Sequence, residues 1–441
     1  MKRLVVLLIL LIPVLTNAQS TSVKNDSQEI ILQNRHFSYI NKLMEPTGDV
    51  LLEIVGKYSP DQLRSHRINQ LKKFSKNYPM SSRSSKVLTM LADLYEENSQ
   101  LTHSLAVHLK QIAFFPGTSN YANSVSKIEG MVANNTDLME FKSTIDLYVR
   151  GNPAQTSYQQ SLYRYLYMLH QFAQPEIADL TLNEMLQYIE DFPHAADAAR
   201  IYYWMGDIYT SIEEYPEAVL SFKRAAELYP ESLAAPEALL QAAVVLKDEF
   251  NVPEQTVKLL QSIVESDYSD EVTIRATKAI ADLYAQSLGQ PQKALEIYAG
   301  IIENYPGRRV AAEAMFGQAQ LYANQLNNPE RAIEMYLSIP ELIPAAREIG
   351  ADATRNAADL KAGVSKDYYD ALSLYLDFAI NYPWHDDVPD RLMKAAEITE
   401  KQYRDPDMTI DLLDVIIDRY PNTNTANLAQ RRLARYTNAN W

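Results

Sequence analysis

Cysteine is absent from all 441 residues. No disulfide can staple the fold, no thiol can serve as a nucleophile, and no cysteine follows the N-terminal apolar run to carry a lipid. Glycine is scarce, at 12 residues, and no two of them form a G-x-G pair. That excludes a dinucleotide fingerprint or a phosphate-cradling loop. No serine occupies a G-x-S-x-G elbow. The seven histidines are scattered. His103 and His108 lie five apart, off a common helical face, and H-E-x-x-H does not occur, so a lone core or surface role is expected rather than metal ligation. Acidic pairs such as Glu213-Glu214 and Asp386-Asp387 read as solvated charge at turns or helix starts. Together these gaps predict a non-enzymatic chain with no catalytic residues, cofactor or metal.

Long apolar runs are also missing after residue 15. Residues 1–18 resemble a cleaved signal peptide: Lys2 and Arg3, an apolar stretch from Leu4 to Leu15, then Thr16-Asn17-Ala18. The stretch is too short to span a bilayer comfortably, and no later one approaches that length. Export into a periplasmic or secreted compartment is therefore expected, with no integral membrane segment after cleavage. Basic charge is in deficit where most of the chain lies. Net charge is −15, yet residues 19–153 hold 15 Lys/Arg against 13 Asp/Glu while residues 154–441 hold 24 against 43. An acidic surface repels phosphate backbones, which excludes nucleic acid and anionic lipid as expected partners of the larger part. The acidity serves solubility, or a basic protein partner.

What the chain does have is rhythm. Prolines at 79, 116, 153, 193, 230, 306, 344, 383 and 421 follow aromatic or apolar residues in most cases. With Ser269 standing in for the one missing proline, the intervals are 37, 37, 40, 37, 39, 37, 38, 39 and 38. A second set, Pro60, Pro175, Pro216, Pro253, Pro291, Pro329 and Pro406, falls mid-interval, and six of these precede an acid. Proline followed by Asp or Glu suits a helix start, where the missing donor costs nothing and the dipole favours negative charge. Two helices thus share each period.

Residues 194–230 show the unit best. Ile201, Met205, Ile208 and Tyr209 form an apolar stripe at helical spacing. Gly206, Ala218 and Ala225 are small enough to let two helices approach, and Pro230 ends the second. Tyr202, Met205, Gly206, Tyr209, Ala218, Phe222, Ala225 and Pro230 fall where the tetratricopeptide repeat carries its large, small and aromatic positions. Ala281, Tyr284, Ala294 and Tyr298 repeat the pattern, as do Ala319, Tyr322, Ala332 and Tyr336. The chain thus resembles the looser tetratricopeptide (TPR-like) arrays of bacterial envelope proteins.

The fold class so predicted is all-α: an α-solenoid of about ten TPR-like helix-turn-helix repeats with a C-terminal capping helix. Its expected parts are a signal peptide (1–18), a polar spacer and leading helix (19–46), degenerate repeats (47–193), clear repeats (194–421) and a cap (422–441). Gln430, Arg431, Arg432 and Arg435 are expected to give the cap its polar face. A cluster of Tyr158, Tyr163, Tyr165 and Tyr167 reads as core packing at the longest unit.

In that family the first helices line a concave face that binds peptide. The resemblance places such positions at Arg200, Tyr203 and Asp207 in one unit, at Arg275, Lys278 and Asp282 two units on, and at Glu313, Phe316 and Gln320 in the next. It implies a periplasmic scaffold or adaptor that binds other proteins, peptide segments or envelope complexes, in cell-envelope or outer-membrane assembly. The alternative is the superhelical part of a peptidoglycan enzyme, resembling soluble lytic transglycosylases, or of its regulator. That reading needs a catalytic domain, and only twenty residues follow Pro421.

Overall fold

A computed structural model describes residues 26–45, 59–134, 141–143, 146, 156–266 and 268–438. The expected signal peptide, most of the spacer, and the Pro46 and Pro153 boundaries lie outside the described residues. Among those described there are helices and turns and no strand. The chain divides into two compact units, Met1–Pro193 and His194–Trp441.

The first unit contains α1 (Asp26–Met44), α2 (Pro60–Asn77), α3 (Ser82–Glu97), α4 (Leu101–Phe114), α5 (Ser119–Ala133), α6 (Tyr158–Phe172) and α7 (Ala178–Asp191). Helix α1 begins at Asp26, inside the polar stretch that precedes its first apolar residue, Ile30. Polar residues give no periodicity to read, yet a helix extends through them one hydrogen bond at a time. Its C-terminal half anchors it: Ile40 and Leu43 are buried, whereas Ile30 and Ile31 are exposed. Ser59 and Ser157 each close a capping box, with Gln62 and Gln160, which satisfies orphan amides at the starts of α2 and α6.

One step of the first unit departs from a regular stack. Helix α4 packs against both α5 and α6, and the Phe114 ring meets Tyr158 at 6.1 Å and Tyr165 at 6.4 Å. The cause is visible in α5, whose buried side chains are Ser124, Ile128 and Val132 alone. That single narrow stripe packs chiefly on one neighbour, α4, and lightly on α3. Of the tyrosine cluster, Tyr158 and Tyr165 serve this joint, while Tyr163 packs on Tyr188. Tyr165 is fully buried and the Tyr158 hydroxyl donates to Asp191 at 3.0 Å.

The second unit is a regular α-solenoid. Its helix pairs are α8 (Ala198–Ser211) with α9 (Tyr215–Leu228), α10 (Ala234–Asp248) with α11 (Pro253–Val264), and α12 (Asp270–Gln286) with α13 (Pro291–Asn304). They continue as α14 (Arg309–Asn324) with α15 (Pro329–Leu342), α16 (Arg347–Leu360) with α17 (Tyr368–Asn381), and α18 (Val388–Ile398) with α19 (Pro406–Arg419). Helix α20 (Asn424–Asn438) closes the series. Each helix packs on its chain neighbours, and first helices also touch those of adjoining pairs, as α12 does α14 and α14 does α16.

The two proline sets act as their chemistry dictates. Every mid-period proline in the second unit sits in the first turn of a second helix. Residues preceding the junction prolines (Tyr78, Phe115, Phe192, Tyr229, Tyr305, Ile343, Tyr382 and Tyr420) are all helix caps. Their φ lies between −136 and −128° and ψ between 46 and 64°. The proline ring forbids the preceding residue its helical geometry, so eight helices end alike. Where Ser269 replaces the proline, α11 ends earlier, at Val264, on a cap still in the helical region (Glu265, φ −81°, ψ −12°).

Between first and second helices the chain reverses through one left-handed residue: Glu213, Asn251, Gly289, Asn327, Lys366 and Arg404, with φ of 47 to 63°. Before Lys366 and Arg404 the first helix widens into a π-turn, Lys361–Ser365 and Thr399–Tyr403.

Small residues set the spacing of the pairs. A Cβ added to Gly206 would lie 2.4 Å from the Phe222 ring, so only glycine admits that ring. In the closing helix Gln430, Arg431 and Arg435 are exposed, as expected of a face meeting water. Arg432 is not part of that face. Its side chain is 14% exposed and bridges Glu397 at 3.2 Å as well as Glu400, because carboxylates on α18 and on the π-turn after it face it.

Two substitutions test these points. Gly206→Leu should destabilise by about 1–3 kcal/mol or more through overpacking, read from urea or thermal unfolding. Ser269→Pro should do the opposite. Ser269 has φ −61°, compatible with proline, and its side chain makes no cap hydrogen bond, so a gain of about 0.4–1 kcal/mol is expected from the restricted unfolded chain.

Candidate protein-interaction site

Five of the nine positions expected to bind a partner converge on one recess of about 200 Å³ across α12, α14 and α16: Lys278, Asp282, Glu313, Phe316 and Gln320. Its geometry begins with a ring. Tyr298, on α13, is buried and passes beside Gly317 of α14, where a Cβ would stand 2.6 Å from the ring. Glycine there lets the tyrosine hydroxyl reach Asp282 and donate to it at 2.5 Å. Burial, the Asp282 charge and this hydrogen bond all push the Tyr298 hydroxyl far above the usual phenol range, so it stays a donor. Lys278 pairs with Asp282 from one turn away, at 2.9 Å.

Glu313 forms the next edge, held by Arg309 at 3.2 Å, and Arg309 also reaches Glu348 of α16 at 3.1 Å. Asp352 of α16 completes the rim and pairs with Arg355 at 2.9 Å. Each of the three rim carboxylates is thus paired with a cation, and the rim carries fixed charges of both signs. Phe316 is half-buried, with its ring edge-on to Tyr336 at 5.2 Å. It is therefore both a packing residue and part of the recess surface.

The other four positions lie along the same succession of first helices but outside the recess. Arg275 is tied to Glu237 of α10 at 2.6 Å. Tyr203 packs edge-on to Phe222 at 5.6 Å, the counterpart of the Phe316–Tyr336 contact. Burial raises the Tyr203 hydroxyl, the charges of Asp207 and Glu237 add to it, and Arg275 and a hydrogen bond with Gln241 oppose it. These influences join α8, α10 and α12 along one face. Arg200 is exposed at the start of α8. Glu237, Gln241 and Asp352 were not among the expected positions. The repeat interval could have found them, for Glu237, Arg275, Glu313 and Asp352 stand 38, 38 and 39 residues apart.

The arrangement recurs toward the C-terminus with other partners. Tyr375 donates to Asp359 at 2.8 Å, as Tyr298 does to Asp282. Arg391 and Lys394 of α18 join the same carboxylate at 3.0 and 2.9 Å. Burial pushes the Asp359 carboxyl up, but the hydrogen bonds from Lys394 and Tyr375 and the Arg391 charge outweigh it and hold the group below the usual carboxylate range. Among the described residues no group of three or more His, Asp or Glu is placed to hold a metal ion, and no helix is long and apolar enough to cross a membrane.

Two family profiles, both described as tetratricopeptide repeat, match residues 199–232 and 279–307. No curated protein matches the chain. Solved structures that resemble it include the C-terminal part of a TPR repeat-containing protein from Cytophaga hutchinsonii, at 15% identity over 60% of this chain and 98% of that one, with a TM-score of 0.43. Another is Pseudomonas aeruginosa pilF, at 18% identity over 54% and 99%, with a TM-score of 0.35. The TPR protein YrrB, described as having an unusual peptide-binding site, aligns at 16% identity over 56% and 97%, with a TM-score of 0.29. The profile matches fall on α8–α9 and α12–α13, the helices whose small and aromatic positions carry the pattern. A TPR-like array of this kind supports a protein–protein interaction scaffold.

Asp359 gives the electrostatic test. A carboxylate with a depressed folded pKa adds stability above its unfolded pKa and loses it as pH falls through the folded value. Asp359→Asn should therefore cost about 1–2 kcal/mol at pH 7. The gap to wild type should close below about pH 4, as followed by urea denaturation at stepped pH.

Proposed function

We propose that this chain, with its TPR-like repeats, is an exported bacterial adaptor. It seats a segment of a protein partner along the first-helix face of its second unit and serves assembly within the cell envelope. The observation that carries the reading is the recess, where three successive first helices combine an aromatic wall with fixed charges of both signs. Such a surface suits an extended or helical segment bearing aromatic and charged side chains, with anchors entering the recess and charges matched at its edge. The leader-like residues 1–18 support export, and the missing cysteine supports a protein carrying no lipid there.

The test uses a photo-reactive residue at Gln320, which is exposed and lines the recess, in living cells. It should capture a discrete envelope protein that the same residue at exposed Glu303, on α13, does not. Joint Tyr203→Ala and Phe316→Ala substitution should reduce that capture about tenfold. Each truncation should lower the melting temperature by only about 2–4 °C. Equal capture from both positions, or unfolding of the double variant, would sink the assignment.

A further inference from the structure

The first unit holds a second concavity that the repeat face does not account for. Helices α2, α3, α4, α6 and α7 enclose a cleft of about 210 Å³. Its walls are apolar: Leu88, Leu91, Val107 and Leu162 with the Phe114 and Tyr165 rings. A cavity of roughly 150 Å³ accepts one benzene ring, so this one has room for a ring and a short polar head.

The polar groups are few and of one sense. Lys72 and Lys76 are exposed and line the opening. Lys110 is largely buried, with its ammonium 2.5 Å from Glu184 and over the Phe114 and Tyr165 rings at 5.8 and 5.3 Å. An ammonium has three donors, and Glu184 accounts for one. Asp191 stands behind the cleft with both oxygens engaged, by the Tyr158 hydroxyl at 3.0 Å and by Gln187 Nε2 at 2.7 Å. Three lysines against Glu184 and Asp191 leave the cleft positive in a chain of net charge −15. Gln187 adds an acceptor. Its side chain lines the cleft, and with Nε2 committed to Asp191 the buried Oε1 finds no donor among the described residues. A buried unpaired acceptor is costly, and a ligand N–H would relieve it.

These features specify a ligand with an apolar body, an anionic head and a hydrogen-bond donor beside that head. We propose that the cleft binds a small N-acylated amino acid with an aromatic or branched side chain. The side chain lies between Leu91 and Tyr165, the carboxylate meets the lysines, and the amide N–H donates to Gln187 Oε1. The assignment stands apart from the adaptor reading, since it concerns the other unit and a different class of ligand.

Calorimetric titration of the full chain with N-acetyl-L-phenylalanine tests it. Saturable binding is expected, weakened about tenfold when the carboxylate is replaced by carboxamide. 3-Phenylpropionate, which lacks the N–H, should bind more weakly than the acid but equally well to wild type and Gln187→Ala. The same variant should lose affinity for N-acetyl-phenylalanine. Lys76→Gln, at an exposed position, should weaken the acid and leave the carboxamide unchanged. Asn183→Trp, from the exposed rim, should fill the cleft and remove binding while the circular dichroism spectrum stays the same. A tripeptide ending in phenylalanine should bind no tighter than the single residue. Absence of binding, equal affinity for acid and carboxamide, tighter binding of octanoate or of the tripeptide, or indifference to Asn183→Trp would each overturn the proposal.

Discussion

A proline ring excludes helical geometry from the residue before it, and this chain meets that restriction at nearly even intervals. The consequence is mechanical. Helices of similar length end on similar caps, so successive pairs of the second unit stack in register. Register then decides what meets what. Tyr298 and Tyr375, two repeats apart, each reach back sixteen residues to an aspartate on the first helix of their own pair. The gap at Ser269 shows the dependence from the other side, for without the ring the cap changes conformation and α11 is shortened.

Register also explains why the first-helix faces carry more ion pairs than surface chemistry requires. Glu237–Arg275, Arg309–Glu348 and Arg391–Asp359 each join one first helix to another. Exposed pairs contribute little to stability singly. Their effect here is to fix which side chains stay available. Around the recess Lys278, Arg309 and Arg355 hold Asp282, Glu313 and Asp352, so paired charges and the Phe316 ring are what a visitor meets.

Much of this could be read in the residue order, because the decisive residues act locally. Pro230 ends a helix whatever surrounds it, and Gly206 with Phe222 announces a close crossing within one hairpin. Positions such as Lys278 and Phe316 followed from the repeat and did come together. What stayed hidden depends on residues without a local signature. Glu213, Lys366 and Arg404 adopt the left-handed turn that only Gly289 and two asparagines would advertise. Arg432 looks like a solvent-facing cap residue until Glu397 and Glu400 are placed opposite it. The positive cleft joins residues as far apart as Lys72 and Gln187, a distance no spacing argument bridges.

Packing in the second unit is confined to near neighbours, so cooperation between distant pairs is passed hand to hand rather than held in one centre. A recess whose walls come from α12, α14 and α16 cuts across that economy. Anything lodged there would rivet three modules into a single mechanical block, stiffening the middle of the array while its flanks stayed free to breathe.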